Sequence, residues 1–161
     1  MELINNILYD TIYHSTPIIL CVIGGMFAYK ANVLNIALEG MMLNGAFIST
    51  LVMFFTGNLP LAVFLAILTT LVYGLVFSFM GITCKGNVIV VGLAINLIVP
   101  AIAGFVMKMM ETANINLKNV NITKYKINIP LIKDIPIIGS ILSGHPPITY
   151  LAFIGIAIFA V

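Results

Sequence analysis

Long apolar runs, each closed by a short polar signal, set the plan of this chain. Thr11–Tyr29 is mostly hydrocarbon and stops at Lys30. Gly40–Cys84 carries no formal charge; as one helix it would reach roughly 68 Å, against about 30 Å of bilayer hydrocarbon. It must therefore fold back, and Gly57-Asn58-Leu59-Pro60 is the only turn chemistry near its middle. The pattern predicts spans at 11–29, 40–56, 60–82 and, after the polar turn Lys85-Gly86-Asn87, at 88–107. Residues 108–147 read as a long extramembrane loop, in which 128–136 is apolar but broken by Pro130 and Pro136 and is expected to pack on protein or at the interface. Residues 148–161 begin a fifth span but fall short of the about 20 residues a crossing needs.

Composition turns these runs into a membrane assignment. The chain has 161 residues, 61% hydrophobic and 7% charged, with a mean hydropathy of +1.18. Soluble domains carry about 25% charged residues, so this chain cannot cover itself with polar surface. Seven lysines face five acids, with no arginine cluster to pair with phosphates, which excludes a nucleic-acid partner. Cys21 and Cys84 lie in apolar runs and read as small buried side chains, not as a disulfide or metal site. The first 29 residues hold Glu2 and Asp10 but no lysine, so the basic start of a secretory signal is missing.

Within the spans, small and polar residues fall at helical spacing. Gly92, Asn96, Pro100 and Gly104 form a drifting i+4 stripe, as do Thr70, Gly74 and Ser78; Gly40 with Asn44, and Gly45 with Ser49, repeat the device. Such stripes let helices approach closely. Pro100 cannot donate to the carbonyl of Asn96, so one level of that helix presents both an amide side chain and a released carbonyl. The polar segment Ala31–Gly40 is the other exception to hydrocarbon, with Asn32, Asn35 and Glu39.

Gly24–Phe47 resembles the signature of bacterial ABC-importer permeases of the branched-chain amino acid/ribose superfamily, in its nucleoside or simple-sugar branch. There a first helix leads into a segment like G-V-L-N-I-G-L-E-G-M-M-L-I-G-A-F; this chain has Asn32-Val33 where the pattern has Gly-Val. Gly86–Leu97 resembles the family's A-N-Q-V-V-x-G-L-A-L-N-L block, and Ile129–Gly139 its I-P-x-L-x-x-I-P-x-L-G loop. The three blocks occur in family order. The resemblance implies an all-α, polytopic transmembrane helix bundle, one domain corresponding to the N-terminal part of such a permease and cut within its fifth span. It implies a second permease subunit, cytoplasmic ATP-binding subunits that carry ATP and magnesium, an extracellular substrate-binding lipoprotein, and a bacterial inner-membrane location. It also implies that Lys30 and Lys85 are cytoplasmic, whereas a count of lysines alone would put the 108–147 loop there.

The expected function is transport of nucleosides or simple sugars; the alternatives are a branched-chain amino acid permease or a non-transporting membrane fragment with a structural role. No nucleotide-binding or hydrolase motif occurs, so the chain is expected to be no enzyme and to hold no cofactor of its own. Asn35, Glu39, Asn44 and Asn96 are the substrate-path candidates; Gly40, Gly45, Gly74, Gly92, Pro100 and Gly104 are the helix-packing candidates. Each has a plainer reading. Glu39 either complements the dipole of the helix that follows or lines the route. Asn35 either satisfies local backbone or meets a ligand hydroxyl, the first being the common use of a short amide. Asn96 either bonds between helices or lines the path. His14 and His145, each near a proline, read as interfacial side chains.

Overall fold

The computed structural model describes residues 2–112, 114–115, 117 and 144–160. Their regular elements are all helical: α1 (Glu2–Lys30), α2 (Leu38–Thr56), α3 (Leu59–Ser78) continued by a π-helical turn (Phe79–Thr83), α4 (Val88–Met109) and α5 (Pro147–Ala160). Four of them are long and apolar enough to cross a membrane, the third including its π turn. The protein is a multi-pass, all-α membrane protein. The apolar segment 128–136 lies outside the described residues.

The breaks follow local chemistry. Helix α1 ends in a Schellman turn: Val33 N–H donates to the Ala28 carbonyl at 3.0 Å and Asn32 N–H to that of Tyr29 at 2.9 Å. Between α2 and α3, Gly57 takes the left-handed φ of 64° and its N–H closes on the Met53 carbonyl, while the Asn58 side chain accepts from Leu61 N–H at 3.4 Å. After the π turn, Lys85 is left-handed at φ 53°, and Gly86 N–H donates to the Met80 carbonyl at 3.1 Å. A Cβ on Gly86 would stand 2.6 Å from that carbonyl oxygen, so only glycine fits. Asn87 caps α4 by accepting from Ile89 N–H at 2.9 Å.

Contacts divide the chain into two units, 27–120 and 1–26 with 121–161. In the first, α2 and α3 form an antiparallel hairpin and α4 returns parallel to α2. Its core is Ala37, Phe77, Ile95 and Val99, with Val33, Met41, Tyr73, Val88 and Val91 around it. In the second, α1 and α5 run parallel: Tyr9 stacks on His145 with ring centroids 4.2 Å apart, Thr16 and Thr149 share a 3.2 Å hydrogen bond, and Ile23 lies against Gly155.

Several expectations need correction. The first helix starts at Glu2, ahead of the expected span at 11–29 that it contains, because polar residues end an apolar span without ending a helix. Cys84 is exposed in the turn before α4, not buried. His145, expected as an interfacial side chain, is fully buried in the protein and stacked on Tyr9; His14 is exposed. The α4 stripe holds only at Gly92 and Asn96. Pro100 and Gly104 are exposed, and nothing among the described residues lies within 4 Å of a Cβ built at Gly104. Each i+4 step drifts by about 40°, so the buried line runs through Gly92, Ile95 and Val99 instead. Drift has the same effect on α3, whose buried residues are Ala62, Ala66 and Phe77, while a Cβ at Gly74 meets nothing within 4 Å.

Candidate functional site

The polar material of the unit 27–120 gathers where the chain enters α2. After Lys30 the backbone leaves the helix, turns at Asn32 and runs without regular structure to Ile36. Residues of this kind inside a membrane protein need partners for every backbone N–H and carbonyl. Two asparagines pair three such groups at the entry to α2. Asn35 Oδ1 accepts from Ala37 N–H at 3.0 Å, which pairs the donor of the residue that opens α2. Asn96, arriving on α4, accepts from Gly40 N–H through Oδ1 at 2.8 Å and donates through Nδ2 to the Ile36 carbonyl at 2.9 Å. Ala37, the N-cap residue, offers no side-chain cap. Asn96 therefore caps α2 from another helix, filling one of the donors every helix start leaves open.

Glycine makes that reach possible. A Cβ on Gly40 would lie 2.8 Å from Asn96 Oδ1 and 3.1 Å from both Asn96 Cα and the Ile95 carbonyl oxygen. A Cβ on Gly92, one turn before Asn96, would lie 3.1 Å from Ala37 N and 3.1 Å from Ile36 Cβ. Backbone thus packs on backbone at two successive turns of α4, and Ala37 between them is fully buried.

A second polar cluster lies further along α2. Asn44, 5% exposed, donates through Nδ2 to Thr69 Oγ1 at 3.0 Å and to Thr70 Oγ1 at 3.1 Å on α3. Gly45 beside it leaves Thr70 Oγ1 at 3.7 Å from a built Cβ, an ordinary contact. Glu39 is in the first turn of α2, where an acid complements the helix dipole, and is exposed. So the structure brings together Asn35, Gly40, Gly92 and Asn96 at one joint, sets Asn44 and Gly45 on the α2–α3 seam, and leaves Glu39, Pro100 and Gly104 on open faces. Sequence reasoning missed Thr69, Tyr9 and Thr149. Thr69 follows no glycine stripe, and the other two act over separations too long for spacing to reveal. No three acids, histidines or cysteines are grouped to hold a metal among the described residues.

The family described as "Branched-chain amino acid transport system / permease component" matches residues 7–161. The chain belongs to this permease family. Among its relatives, the guanosine ABC transporter permease protein NupQ of Bacillus subtilis (strain 168) is 29% identical over 98% of this chain and 50% of its own length. The nucleoside ABC transporter permease protein NupC of Lactococcus lactis subsp. cremoris (strain MG1363) is 31% identical over 96% of this chain and 50% of its own length. The permease chain thus spans about half the length of these curated relatives. No solved structure matches it significantly. At position 32, where the resembling pattern has glycine, the tight turn is kept: Asn32 sits at φ 60°, the region asparagine tolerates better than other side chains.

Proposed function

We propose that this chain forms part of the membrane-spanning subunit of an ABC importer for nucleosides, with simple sugars as the nearest alternative cargo, in a bacterial cytoplasmic membrane. The observation that carries the reading is the match over nearly the whole chain to two permeases named for guanosine and for nucleosides. The partners this entails are a second permease subunit, cytoplasmic subunits that bind ATP and magnesium, and an extracellular lipoprotein that delivers substrate. Lys30 and Lys85 face the cytoplasm in this reading. The chain performs no covalent step; it supplies helices whose rearrangement opens and closes a path.

In this reading Asn35 and Asn96 hold the path's wall, since their paired atoms already serve backbone groups. Asn44 and the hydroxyls of Thr69 and Thr70 offer amide and hydroxyl chemistry suited to a neutral polyhydroxy cargo, and Glu39 stands at the cytoplasmic entry of α2. The test is uptake by the assembled transporter in cells lacking their own nucleoside importers, with radiolabelled guanosine, ribose and leucine compared. ATP-dependent guanosine accumulation at least tenfold above the empty strain supports the proposal. Leucine uptake without guanosine uptake overturns it in favour of the amino acid alternative, and uptake of none of the three favours a structural role.

A further inference from the structure

Three features make the contact between the start of α2 and α4 unlike an ordinary helix seam. The amide of Asn96 uses both of its ends on backbone, one on the Ile36 carbonyl and one on Gly40 N–H. Away from water, opening the contact would strand a peptide donor, a peptide acceptor and the amide at once. Gly40 and Gly92 then remove all slack: at either one, the atoms across the seam stand about 3 Å from where a Cβ would be, so a slide of one residue drives side chains into backbone. Finally, Ala37, Ile95 and Val99 close the contact on the inner side, each at most 3% exposed. Packed contacts of this kind have discrete arrangements and do not deform continuously.

We infer that the entry of α2, residues 36–40, is latched to α4 by Asn96 and Gly92 and stays latched throughout the transport cycle, so that these two segments move as one rigid piece and the gate lies elsewhere. The inference rests on the transport reading, because it concerns what moves during import. Ile36 Cβ and a Cβ at position 92 are 3.1 Å apart, a few tenths of an ångström short of the roughly 3.5–4.5 Å that a disulfide spans. The double variant Ile36→Cys/Gly92→Cys, with Cys21→Ala and Cys84→Ala removing the native thiols, places a removable staple across the latch.

The staple is tested in the assembled, reconstituted transporter by ATP-driven guanosine uptake, oxidised and then reduced, with crosslinking read by mass spectrometry. Uptake equal within twofold in the two states, and at least tenfold above protein-free liposomes in both, supports the latch. A loss of tenfold or more on oxidation that dithiothreitol restores overturns it, as does failure of the two thiols to crosslink. Hydrogen exchange at the Gly40 amide of the unsubstituted transporter gives an answer independent of the variants. Protection that stays within threefold between nucleotide-free and ATP-trapped states supports the latch, and a change above tenfold overturns it. If no form of the transporter imports nucleoside, the transport reading fails while the exchange measurement still reports whether the contact opens.

Discussion

Asn32 shows how one residue can hold a turn that would otherwise demand glycine. Its φ of 60° costs an ordinary L-residue about 1–2 kcal/mol, and a β-branched side chain fares worst there. Asn32→Val should therefore lower unfolding free energy by about 1–2 kcal/mol in denaturant titrations of the purified permease in detergent, whereas Asn32→Gly should leave it within about 0.5 kcal/mol. The glycines divide in a similar way. Gly92→Leu should cut uptake at least tenfold by driving Ile36 off α4, while Gly104→Leu should change it less than twofold. A comparable loss from both would mean that Gly104 meets a surface beyond the described residues. Asn96 and Gly92 could be read from the chain, because an amide amid hydrocarbon must have a partner and a glycine one turn away gives that partner room. The rest of their stripe could not, since a regular i+4 spacing hides the slow rotation that carries Pro100 and Gly104 away from the seam.

Among the helices, boundaries set by a residue with its own backbone chemistry were legible. Gly57 and Pro60 announced the α2–α3 turn, and Asn87 announced the start of α4. Removing that cap by Asn87→Ala should cost about 1 kcal/mol, measurable in the same titrations, and Gly86→Ala should be worse because of the Met80 carbonyl. The π turn at Phe79–Thr83 was not legible: its residues are as apolar as the helix before them, and the distinction lies only in which carbonyl each N–H chooses. The pairing of α1 with α5 was equally hidden, because Thr16 and Thr149 read as two unrelated hydroxyls until their helices meet. Their parallel alignment has a direct check. Thr16→Cys/Thr149→Cys should crosslink efficiently under mild oxidation, and Tyr13→Cys paired with Gly155→Cys should not.

For the molecule as a whole, the alternation of helix direction puts the α1–α2 connection and the α3–α4 turn on one face of the membrane, with Lys30 and Lys85, and Lys108 at the far end of α4. A count of lysines alone would make Lys108, Lys118, Lys124, Lys126 and Lys133 cytoplasmic, opposite to the orientation proposed above. Exposed Cys84 offers a native probe. With Cys21 replaced by alanine, a membrane-impermeant maleimide should leave Cys84 unmodified in intact cells and label it in inside-out vesicles; the opposite pattern would reverse the orientation proposed above. Membrane embedding and the four long apolar helices among the described residues were the most legible properties, since hydropathy and length alone impose them. Family membership came from short blocks that physics alone would not have singled out.

The hydroxyl pair between α1 and α5 also carries a timetable. Thr16 and Thr149 are 133 positions apart, and ribosomes add about 5–20 residues per second. The first helix therefore waits on the order of ten seconds for its mate to emerge. During that delay the Thr16 hydroxyl can rest on the carbonyl of Ile12 one turn back, a 2.8 Å bond that the folded structure also keeps, so the late arrival of Thr149 adds a neighbour to an oxygen already provided for and displaces nothing.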